Sequence, residues 1–502
     1  MPAKTSLSPQ PTRRAAWTVL VAALLSIRPA AVTADTPTPT SSGKAEEPSA
    51  SRDALTPALA RLTNAVSRAG AVVGVAVVDL DSGALVIGHR ERTPHNPASN
   101  MKVFTAWAAL GELGAEHRFS TALLGRQQGP RVPTVWLRGD GDPSLEVRHL
   151  QEMVARLHRA GVREIGEVVI DQSHFDAAYM PPAFGQQPDE WAAFRAPVAA
   201  VSLAGNTVMM EVRAGKEGEP ASVAFVPESF VTTTGSVRTS GRDEPEAVKL
   251  TLSAKGPRLA AAVGGSLPEG SPTLRIWRRV DDPTLLAGHA LADVCRQHGI
   301  EVTGEVKAGS APTSAPLLSA HRSEPLARLL WALGKHSNNF YAEMIFKSLS
   351  VKKGGPPASF ERSARVVEGL LDDAGIDRTG LSFRNGSGLF DAGRLTPLAT
   401  AQLLAAAARD PRLGPELLAQ LSIAGVDGTL RRRARRYAKQ RIIRGKTGTL
   451  AAVSALSGYV HRPNGRGGVA FAVFVNEARG KSIRLRKDID RFVEAVADVV
   501  VK

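Results

Sequence analysis

Residues 97–102 read PASNMK, and the apolar run VFTAWAAL follows at residues 103–110. Pro97 suits the first turn of a helix, because the N–H that proline lacks has no helical partner there. Residues three positions apart lie on the same helix face, so the Ser99 hydroxyl and the Lys102 amine can meet. A serine hydroxyl is a poor nucleophile until a base removes its proton. Burial can lower the pKa of a lysine from about 10.4 toward neutrality, which would make Lys102 that base.

The Ser-x-x-Lys tetrapeptide is weak evidence by itself. Such a pattern arises by chance in chains of this length, and a lysine on an apolar helix can instead extend its amine to solvent. The catalytic interpretation therefore depends on further motifs that belong to the same chemistry.

The chain has 502 residues, enough for two or three domains, and its composition is that of a globular protein, 43% hydrophobic and 22% charged. Its formal net charge of +15 favours anionic partners through long-range attraction. Nucleic acid is one such partner, and its main support is the run RRRARR at residues 431–436. The anionic polymers and lipids of a bacterial envelope are the other, and an arginine run is more often a solvated surface.

The N-terminus decides between these two classes of partner. Arg13 and Arg14 precede an apolar stretch at residues 15–27, and small residues follow up to Ala34. This order is typical of a secretory signal peptide, which we assign to residues 1–34 with cleavage near Ala34. The alternative is a retained anchor, although the apolar stretch is short for a membrane span. We therefore expect a periplasmic or secreted protein that binds no nucleic acid and can associate peripherally with an anionic envelope surface.

Residues 35–51 are rich in proline, threonine and serine, which predicts a flexible linker. Cys295 is the only cysteine, so the chain can form no intramolecular disulfide, and the apolar residues around it predict a core position. The sequence lacks the His-Glu-x-x-His motif of zinc peptidases. We expect neither a metal nor an organic cofactor.

A weak internal repeat marks the middle of the chain. Asp-Pro-Ser-Leu or Asp-Pro-Thr-Leu, followed by a helical pattern and a strand containing Gly-Glu-Val, begins at Asp142 and again at Asp282. The repeat predicts an inserted α/β subdomain formed by residues 125–175 and 276–315. Alternating patterns predict a β-rich subdomain, residues 176–275, nested within it.

The flanking segments, residues 52–124 and 316–502, are expected to form one catalytic domain. Alternating apolar residues predict a hairpin at residues 72–89 and three strands between residues 442 and 476. Together they predict an α/β (α+β) fold with one antiparallel five-stranded sheet, flanked by helices that include the one after Ser99. Helices are further expected at residues 55–69, 326–333, 340–349, 398–409, 415–423 and 489–500.

A second motif, Ser337-Asn338-Asn339, lies at the boundary between two helical patterns. Ser337 and Asn339 are two positions apart in a loop, so both side chains can project toward one cavity. Alone, such a segment is more often the N-cap of a helix. Its value therefore lies in combination with other motifs.

A third motif, Lys446-Thr447-Gly448-Thr449, begins a predicted pair of strands. A cation and two hydroxyls line one strand edge, and the glycine, which has no side chain, lets a substrate backbone approach and pair with that edge. Lys446 can hold an anion there. The alternative is an ordinary edge-strand lysine that discourages aggregation.

The three motifs in this chain order are far more specific than any one of them. They resemble the motif set of class A β-lactamases and penicillin-binding proteins. The long gap between Ser99 and Ser337, which holds the insertion, resembles the class C low-molecular-mass penicillin-binding proteins, the D-alanyl-D-alanine carboxypeptidase/endopeptidase family. The resemblance covers nearly the whole mature chain and includes GDPSL at residues 141–145 and NGSGL at residues 385–389. The family often has Asp where this chain has Asn385, a change that we do not expect to remove activity.

The resemblance implies a serine D-Ala-D-Ala carboxypeptidase, D,D-endopeptidase or both, acting on peptidoglycan stem peptides. Ser99 would attack the carbonyl between two D-alanines and form an acyl-enzyme, with Lys102 as the base. Ser337 would pass a proton to the leaving amine. Asn339 would hold the substrate amide and orient Lys102.

The resemblance also places the substrate at the third motif. Its terminal carboxylate would lie at Lys446, Thr447 and Thr449, and its backbone beside Gly448. The backbone N–H groups of the nucleophile and Thr449 would form the oxyanion hole, and the charge of Lys446 would help to keep Lys102 neutral. β-Lactam antibiotics would be covalent inhibitors, because they carry a carboxylate and a strained amide.

Two other functions remain open on the sequence alone. A class A β-lactamase uses Glu-x-x-x-Asn for deacylation between the second and third motifs, and no such pattern occurs between Ser337 and Lys446. A catalytically idle homologue that binds peptidoglycan or serves as a scaffold is the other alternative, which the intact motif set disfavours. Covalent labelling by a fluorescent penicillin separates an enzyme from an idle homologue.

Overall fold

The structure is a computed structural model that describes residues 48–256 and 258–502. The expected signal peptide, residues 1–34, and most of the expected linker lie outside the described residues. The first helix begins at Pro48, inside the segment for which a linker is expected, so the helical pattern extends further toward the N-terminus than the sequence indicates. Within the described ranges, no helix combines the length and the apolar character needed to cross a membrane.

The elements up to residue 112 are, in chain order, α1 (Pro48–Arg68), β1 (Val72–Asp79), β2 (Leu85–His89) and α2 (Met101–Glu112). Those of residues 120–322, here called the middle region, are β3 (Ser120–Leu124), β4 (Arg131–Gly139), α3 (Val147–Arg159), β5 (Glu164–Asp171), β6 (Thr207–Arg213), β7 (Ser222–Val226), β8 (Val231–Gly235), β9 (Arg238–Ser240), β10 (Lys249–Lys255), β11 (Arg258–Gly264), β12 (Ser266–Pro268), β13 (Leu274–Arg279), α4 (Leu286–Gln297), β14 (Glu301–Val302), β15 (Val306–Ala308) and β16 (Leu317–Arg322). The remaining elements are α5 (Leu326–Lys335), α6 (Asn339–Ser348), α7 (Val351–Gly354), α8 (Phe360–Asp373), β17 (Ser382–Phe383), β18 (Gly393–Arg394), α9 (Pro397–Arg409), α10 (Gly414–Gln420), β19 (Ser422–Ile423), β20 (Ile443–Leu450), β21 (Val453–His461), β22 (Gly468–Asn476) and α11 (Ser482–Val500).

The first sheet joins the two ends of the chain. Its strand order is β19-β20-β21-β22-β1-β2, and every neighbouring pair is antiparallel. The expected hairpin and three C-terminal strands are all present, but the sheet has six strands rather than five. The additional strand is β19, where the expectation of a helix through residue 423 is wrong. Helix α10 ends at Gln420, and the residues of β19 pair with Arg444 and Gly445 instead.

Alternate residues of this sheet face two separate apolar cores, as the two-residue period of a strand requires. In β22, Ala472 and Phe474 face the core that contains α2, α5, α6 and α9. Phe471 and Val473 point to the opposite face, which α1 and α11 cover. The helix that follows Ser99 therefore packs on one face of the sheet, and the terminal helices pack on the other.

The middle region contains a second sheet, with the order β14-β5-β4-β3-β16, and β15 also pairs with β5. The two copies of the weak repeat correspond to α3 with β5 and to α4 with β14 and β15, and β14 and β15 both pair in parallel with β5. Cys295 in α4 is completely buried in the core of this unit, as expected. Strands β6 to β13 form three smaller sheets around a further apolar cluster.

Candidate active site

Ser99 lies in a short 3-10 turn, Ala98–Asn100, that leads directly into α2. The sheet holds this turn in place, since Ser457 Oγ in β21 donates a hydrogen bond of 2.6 Å to Asn100 Oδ1. Ala98 is fully buried and has a left-handed backbone conformation, with φ at 46°. Ser99 is thereby fixed at the start of a buried helix, as the sequence predicts.

The Lys102 side chain is completely buried, contrary to the alternative in which its amine reaches solvent. Its Nζ donates hydrogen bonds to Ser99 Oγ at 3.1 Å, to Asn339 Oδ1 at 2.8 Å and to the Ser387 carbonyl oxygen at 2.9 Å. Burial lowers the pKa of Lys102 from 10.5 to about 7, and the negative charge of Glu343 opposes this shift. A substantial fraction of the amine is therefore neutral at physiological pH.

Glu343 is a second buried ionisable group, one helical turn after Asn339 in α6. Its two carboxylate oxygens accept hydrogen bonds of 2.9 Å from the backbone N–H groups of Gly386 and Ser387. Burial raises the pKa of Glu343, while these hydrogen bonds and the charge of Lys102 act in the opposite direction. Because the Ser387 carbonyl is one of the three acceptors of Lys102, Glu343 holds the backbone segment that fixes the amine.

The second motif joins α5 to α6. Asn338 is the N-cap of α6, and its Oδ1 accepts a hydrogen bond of 3.2 Å from Tyr341 N, so the capping alternative is correct for this residue alone. Ser337 has φ at 56°. Both ends of the Asn339 amide form hydrogen bonds. Its Oδ1 accepts one from Lys102 Nζ, and its Nδ2 donates one of 3.2 Å to the Phe194 carbonyl oxygen of the middle region.

The third motif lies in β20, beside Ser337. Lys446 is 1% exposed, which excludes the alternative of a solvated edge-strand lysine. Its Nζ donates hydrogen bonds of 2.8 Å to Ser337 Oγ and to the Thr447 carbonyl oxygen. Burial lowers the pKa of Lys446 well below its ordinary value, and repulsion from Lys102 adds to that shift.

The two threonines of the motif, Thr447 and Thr449, project from the face of β20 opposite to the face that carries Lys446 and Gly448. Thr447 Oγ1 donates 2.8 Å to Thr429 Oγ1, and Thr449 Oγ1 accepts a hydrogen bond of 3.1 Å from Arg486 in α11. Among the described residues, β19 is the only strand beside this edge of β20, and it pairs only before Lys446. The edge from Lys446 onward is therefore open to an extended ligand.

Gly448 allows the turn that carries Ser99 to pack closely against β20, whereas the sequence predicts that a substrate backbone would approach there. A Cβ atom at this position would lie 2.7 Å from the Pro97 carbonyl oxygen and 2.8 Å from Asn100 Nδ2. Glycine is required because the strand packs against the turn that carries Ser99. The space left by the missing side chain is filled by this turn, rather than by a substrate backbone as the sequence suggests.

The three motifs therefore meet at one site. Hydrogen bonds link Lys102 to Ser99 and Asn339, and a further one links Lys446 to Ser337. A hydroxyl beside a buried amine that is partly neutral is the arrangement of a nucleophile and its base. In the part of the chain that the structure describes, no group of three or more metal-ligating side chains occurs.

Comparison with known proteins identifies the family. The sequence model of the D-Ala-D-Ala carboxypeptidase 3 (S13) family matches residues 55–496. The chain belongs to this family. A D-alanyl-D-alanine carboxypeptidase from Actinomadura sp. (strain R39) is 34% identical over 438 residues, which are 82% of this chain and 79% of that protein. The D-alanyl-D-alanine carboxypeptidase DacB of Haemophilus influenzae is 28% identical over 81% of this chain and 86% of that protein.

A solved structure agrees with this assignment. Penicillin-binding protein 4 (dacB) from Haemophilus influenzae matches with a TM-score of 0.73 and 26% identity, over 87% of this chain and 98% of that chain. The same protein in complex with a β-lactam matches with a TM-score of 0.68 and 25% identity, over 86% and 99% of the two chains. The expected fold class and the expected enzyme class, a serine-type D-Ala-D-Ala carboxypeptidase, are confirmed.

Asn385 of this carboxypeptidase, where the sequence departs from the expected Asp, is completely buried. Its Oδ1 accepts a hydrogen bond of 2.9 Å from Gly388 N, and its Nδ2 donates 2.9 Å to the Pro182 carbonyl oxygen. An aspartate could not make the second of these bonds, because a carboxylate has no hydrogen to donate. The asparagine therefore suits a local contact with the middle region.

Three residues around the site of this carboxypeptidase are missed by the sequence analysis. Ser387 contributes its backbone carbonyl, which no side-chain pattern reveals. Arg486 lies in an amphipathic helix with many other charged residues, so nothing distinguishes it in the sequence. One signal could have indicated Glu343, since it is the only acidic residue of the α6 sequence NFYAEMIFKS and lies between apolar neighbours.

Proposed function

We propose that this carboxypeptidase cleaves the D-alanyl-D-alanine bond of peptidoglycan stem peptides, and the corresponding bond after D-alanine in cross-links, through an acyl-enzyme on Ser99. The observation that carries the proposal is the environment of Lys102. Its amine is completely buried, lies 3.1 Å from Ser99 Oγ and has a pKa of about 7. Membership of the carboxypeptidase family supports the same reaction.

The hydrogen bonds of Lys102 suggest how it acts as the base. A neutral amine has two hydrogens to donate and one lone pair with which to accept. The Asn339 and Ser387 carbonyl oxygens can only accept, so they take the two hydrogens, and the lone pair remains for the Ser99 hydroxyl. Lys102 then takes the Ser99 proton as Oγ attacks the carbonyl carbon.

Ser337 is proposed to deliver a proton to the leaving amine. Its Oγ accepts a hydrogen bond from Lys446, which leaves its own hydrogen available to the cleft. The proton taken by Lys102 would return through Ser337 to the departing nitrogen as the C–N bond breaks. Water would then attack the acyl-enzyme, and the Ser99 hydroxyl would be regenerated.

The substrate is proposed to lie along the open edge of β20. Lys446 and the hydroxyls of Thr447 and Thr449 would bind its terminal carboxylate, beside Gly448. The backbone N–H groups of Ser99 and Thr449 would stabilise the oxyanion, and the loss of one such donor typically lowers the rate by about 10²- to 10³-fold. Asn339 would orient the substrate amide as well as Lys102.

β-Lactams are proposed as covalent inhibitors, since they present a carboxylate and a strained amide to the same groups. The β-lactam complex of the related Haemophilus protein supports this proposal. We further propose secretion by way of the signal peptide at residues 1–34 and a periplasmic or extracellular location. The net charge of +15 supports peripheral association with an anionic envelope surface, without nucleic acid as a partner.

We also propose that the chain divides as its sequence predicts. Residues 52–124 and 316–502 would form the catalytic domain, residues 125–175 and 276–315 the inserted subdomain, and residues 176–275 the nested one. Four apolar clusters support the division in outline: two cores flank the first sheet, one lies in the second sheet and one lies among β6 to β13. The core around α2 also includes Phe175, Ala196, Val198 and Ala200 of the middle region, so the units share apolar contacts.

Labelling with a fluorescent penicillin tests the proposed reaction. The wild-type protein should form a covalent adduct that survives denaturation, and Ser99→Ala should form none. Ser82→Ala, in an exposed turn, is the matched control and should label like the wild type. A folded wild-type protein that stays unlabelled would favour the catalytically idle homologue. Digestion of purified peptidoglycan and identification of the fragments would then separate removal of terminal D-alanine from cleavage of cross-links.

A further inference from the structure

Arg486 lies in the second turn of α11 and reaches the third motif from outside the strand. Its Nη2 donates a hydrogen bond of 3.1 Å to Thr449 Oγ1. The side chain is half-buried, while Thr449 itself is exposed. A guanidinium thus stands next to the hydroxyl at the open end of β20.

The guanidinium of Arg486 has no anionic partner among the described residues. No carboxylate oxygen there lies within 4.0 Å of it, and its buried Nε has no hydrogen-bond acceptor. The neighbouring Arg433 differs, because Asp490 neutralises it through hydrogen bonds at 2.8 to 3.2 Å. Burial lowers the pKa of Arg486 and the charge of Arg433 adds to this shift, while the negative charge of Asp490, which is hydrogen-bonded to Arg433, opposes it. Asp490 is thus shared with Arg433 and bonds only to that residue, so the guanidinium of Arg486 keeps hydrogen-bond donors that an anionic ligand could use.

Strand geometry places this charge beside the two threonines proposed to bind the substrate carboxylate, on the face of β20 opposite to Lys446. Alternate side chains of a strand share one face, so Thr447 and Thr449 point to the same side of β20. Their partners across the sheet, Leu456 and Ser454, pair in turn with Val473 and Val475, which face α11. Arg486 therefore approaches the two hydroxyls on their own face.

The lysine of the third motif differs from Arg486 in its surroundings. Lys446 is buried beside Lys102, and its pKa is lowered well below the ordinary value. Arginine keeps its charge at any physiological pH, and its planar fork matches a carboxylate with two parallel hydrogen bonds. An anionic ligand at this edge would therefore gain from Arg486 a lasting charge and a pair of parallel hydrogen bonds.

We propose that Arg486 binds the carboxylate next to the scissile amide and makes the enzyme selective for substrates that carry it. The substrate class is a peptide with a carboxylate on the carbon that bears the leaving amine, as in a free D-Ala-D-Ala terminus. The inference rests on the proposed function, because it assigns a specificity-determining residue to that same cleft.

The test compares two substrates that differ only in this group. An N-acylated peptide ending in D-Ala-D-Ala and the same peptide with a C-terminal amide are hydrolysed by the wild type and by Arg486→Ala. The wild type should prefer the acid. In Arg486→Ala, kcat/KM for the acid should fall by about 10- to 100-fold, the usual size of a hydrogen bond to a charged group, while kcat/KM for the amide should stay within about twofold.

Two further variants sharpen the test. Arg486→Lys keeps a positive charge but lacks the two parallel donors of the guanidinium. Relative to Arg486→Ala, it should recover part of the preference for the acid. Arg484→Ala removes an exposed arginine from the same helix, so both substrates should be hydrolysed as by the wild type. Circular dichroism melting should show all variants to be folded, because Arg486 has no carboxylate partner to lose.

The outcomes separate this inference from the proposed function. Equal losses on acid and amide in Arg486→Ala, or no loss on either, would show that Arg486 does not recognise the carboxylate. If the wild type also labels with penicillin at Ser99, only the inference about Arg486 fails. If the wild type is neither labelled nor active on either peptide, the proposed function fails, and the inference fails with it.

Discussion

Lys102 Nζ and Asn339 Oδ1 are 2.8 Å apart, although 237 positions separate the two residues in the chain. The acceptor is a neutral amide, and no carboxylate oxygen among the described residues lies within 4.0 Å of this amine. An amide oxygen takes a hydrogen from either form of the amine, whereas a carboxylate would favour the charged form. The choice of Asn at position 339 therefore helps Lys102 to remain a base.

Asn339→Asp should weaken Lys102 as a base. A carboxylate in contact with the amine stabilises the ammonium, so the pKa of Lys102 should rise by about one to three units. The acid limb of the pH profile, meaning the range in which the acylation rate rises with pH, should move to higher pH by the same amount. The measurement is the second-order rate constant for penicillin acylation between pH 5 and 10.

Asn338→Asp is the matched control for this variant. It adds the same charge one residue earlier and keeps an N-cap acceptor for Tyr341 N, so the fold and the acid limb should change little. An acid limb that stays in place in Asn339→Asp would mean that this contact does not set the basicity of Lys102.

The wild-type rate should itself depend on pH in one direction. The pKa of Lys102 is about 7, so below that value the amine is protonated and has no lone pair for Ser99. Acylation should rise about tenfold per pH unit up to about pH 7 and then level off. Lys102→Arg stays charged throughout and should lower the plateau by about 10²- to 10⁴-fold. A rate that is constant from pH 5 to 9 would contradict the role of Lys102.

Glu343→Gln should change both stability and pH dependence. The charge of Glu343 raises the pKa of Lys102, so its removal should move the acid limb to lower pH. Gln has one acceptor oxygen in place of two, so the N–H of Gly386 or Ser387 loses its partner, which should cost about 1–3 kcal/mol of folding free energy.

Thermal melting and the acylation profile measure these two effects separately. Glu361→Gln, which replaces a largely exposed glutamate in α8, is the control and should change neither. A lower melting temperature with an unmoved acid limb would make Glu343 a purely structural residue.

The regular elements were largely predictable from sequence because their periodicity is strong. The strands β1, β21 and β22 follow the predicted patterns closely, whereas α11 begins at Ser482, seven residues before the predicted start. Strand β19 was not predictable, since two residues carry no periodicity and it forms only by pairing with β20.

The candidate site shows the same division. The motifs can be recognised from the spacing of their residues in the sequence. The fold brings together the five site residues that belong to them: Ser99, Lys102, Ser337, Asn339 and Lys446. Three other residues belong to no recognisable motif. Ser387 acts through its backbone carbonyl, Glu343 through a buried carboxylate, and Arg486 through a contact from a remote helix. Their roles depend on tertiary contacts, which the sequence pattern does not record.

Gly448→Ala should disable the site through packing. The new Cβ would lie 2.7 Å from the Pro97 carbonyl oxygen, a backbone atom that can move only together with the turn Ala98–Asn100. A displacement of the nucleophile by a fraction of an ångström should lower acylation by about 10- to 100-fold. Gly111→Ala is the control, because a Cβ there meets no atom within 4 Å and the position is helical. That variant should keep full activity and gain about 0.5–1 kcal/mol of stability. Equal acylation rates for the two variants would show that the Ser99 turn does not depend on close contact with β20.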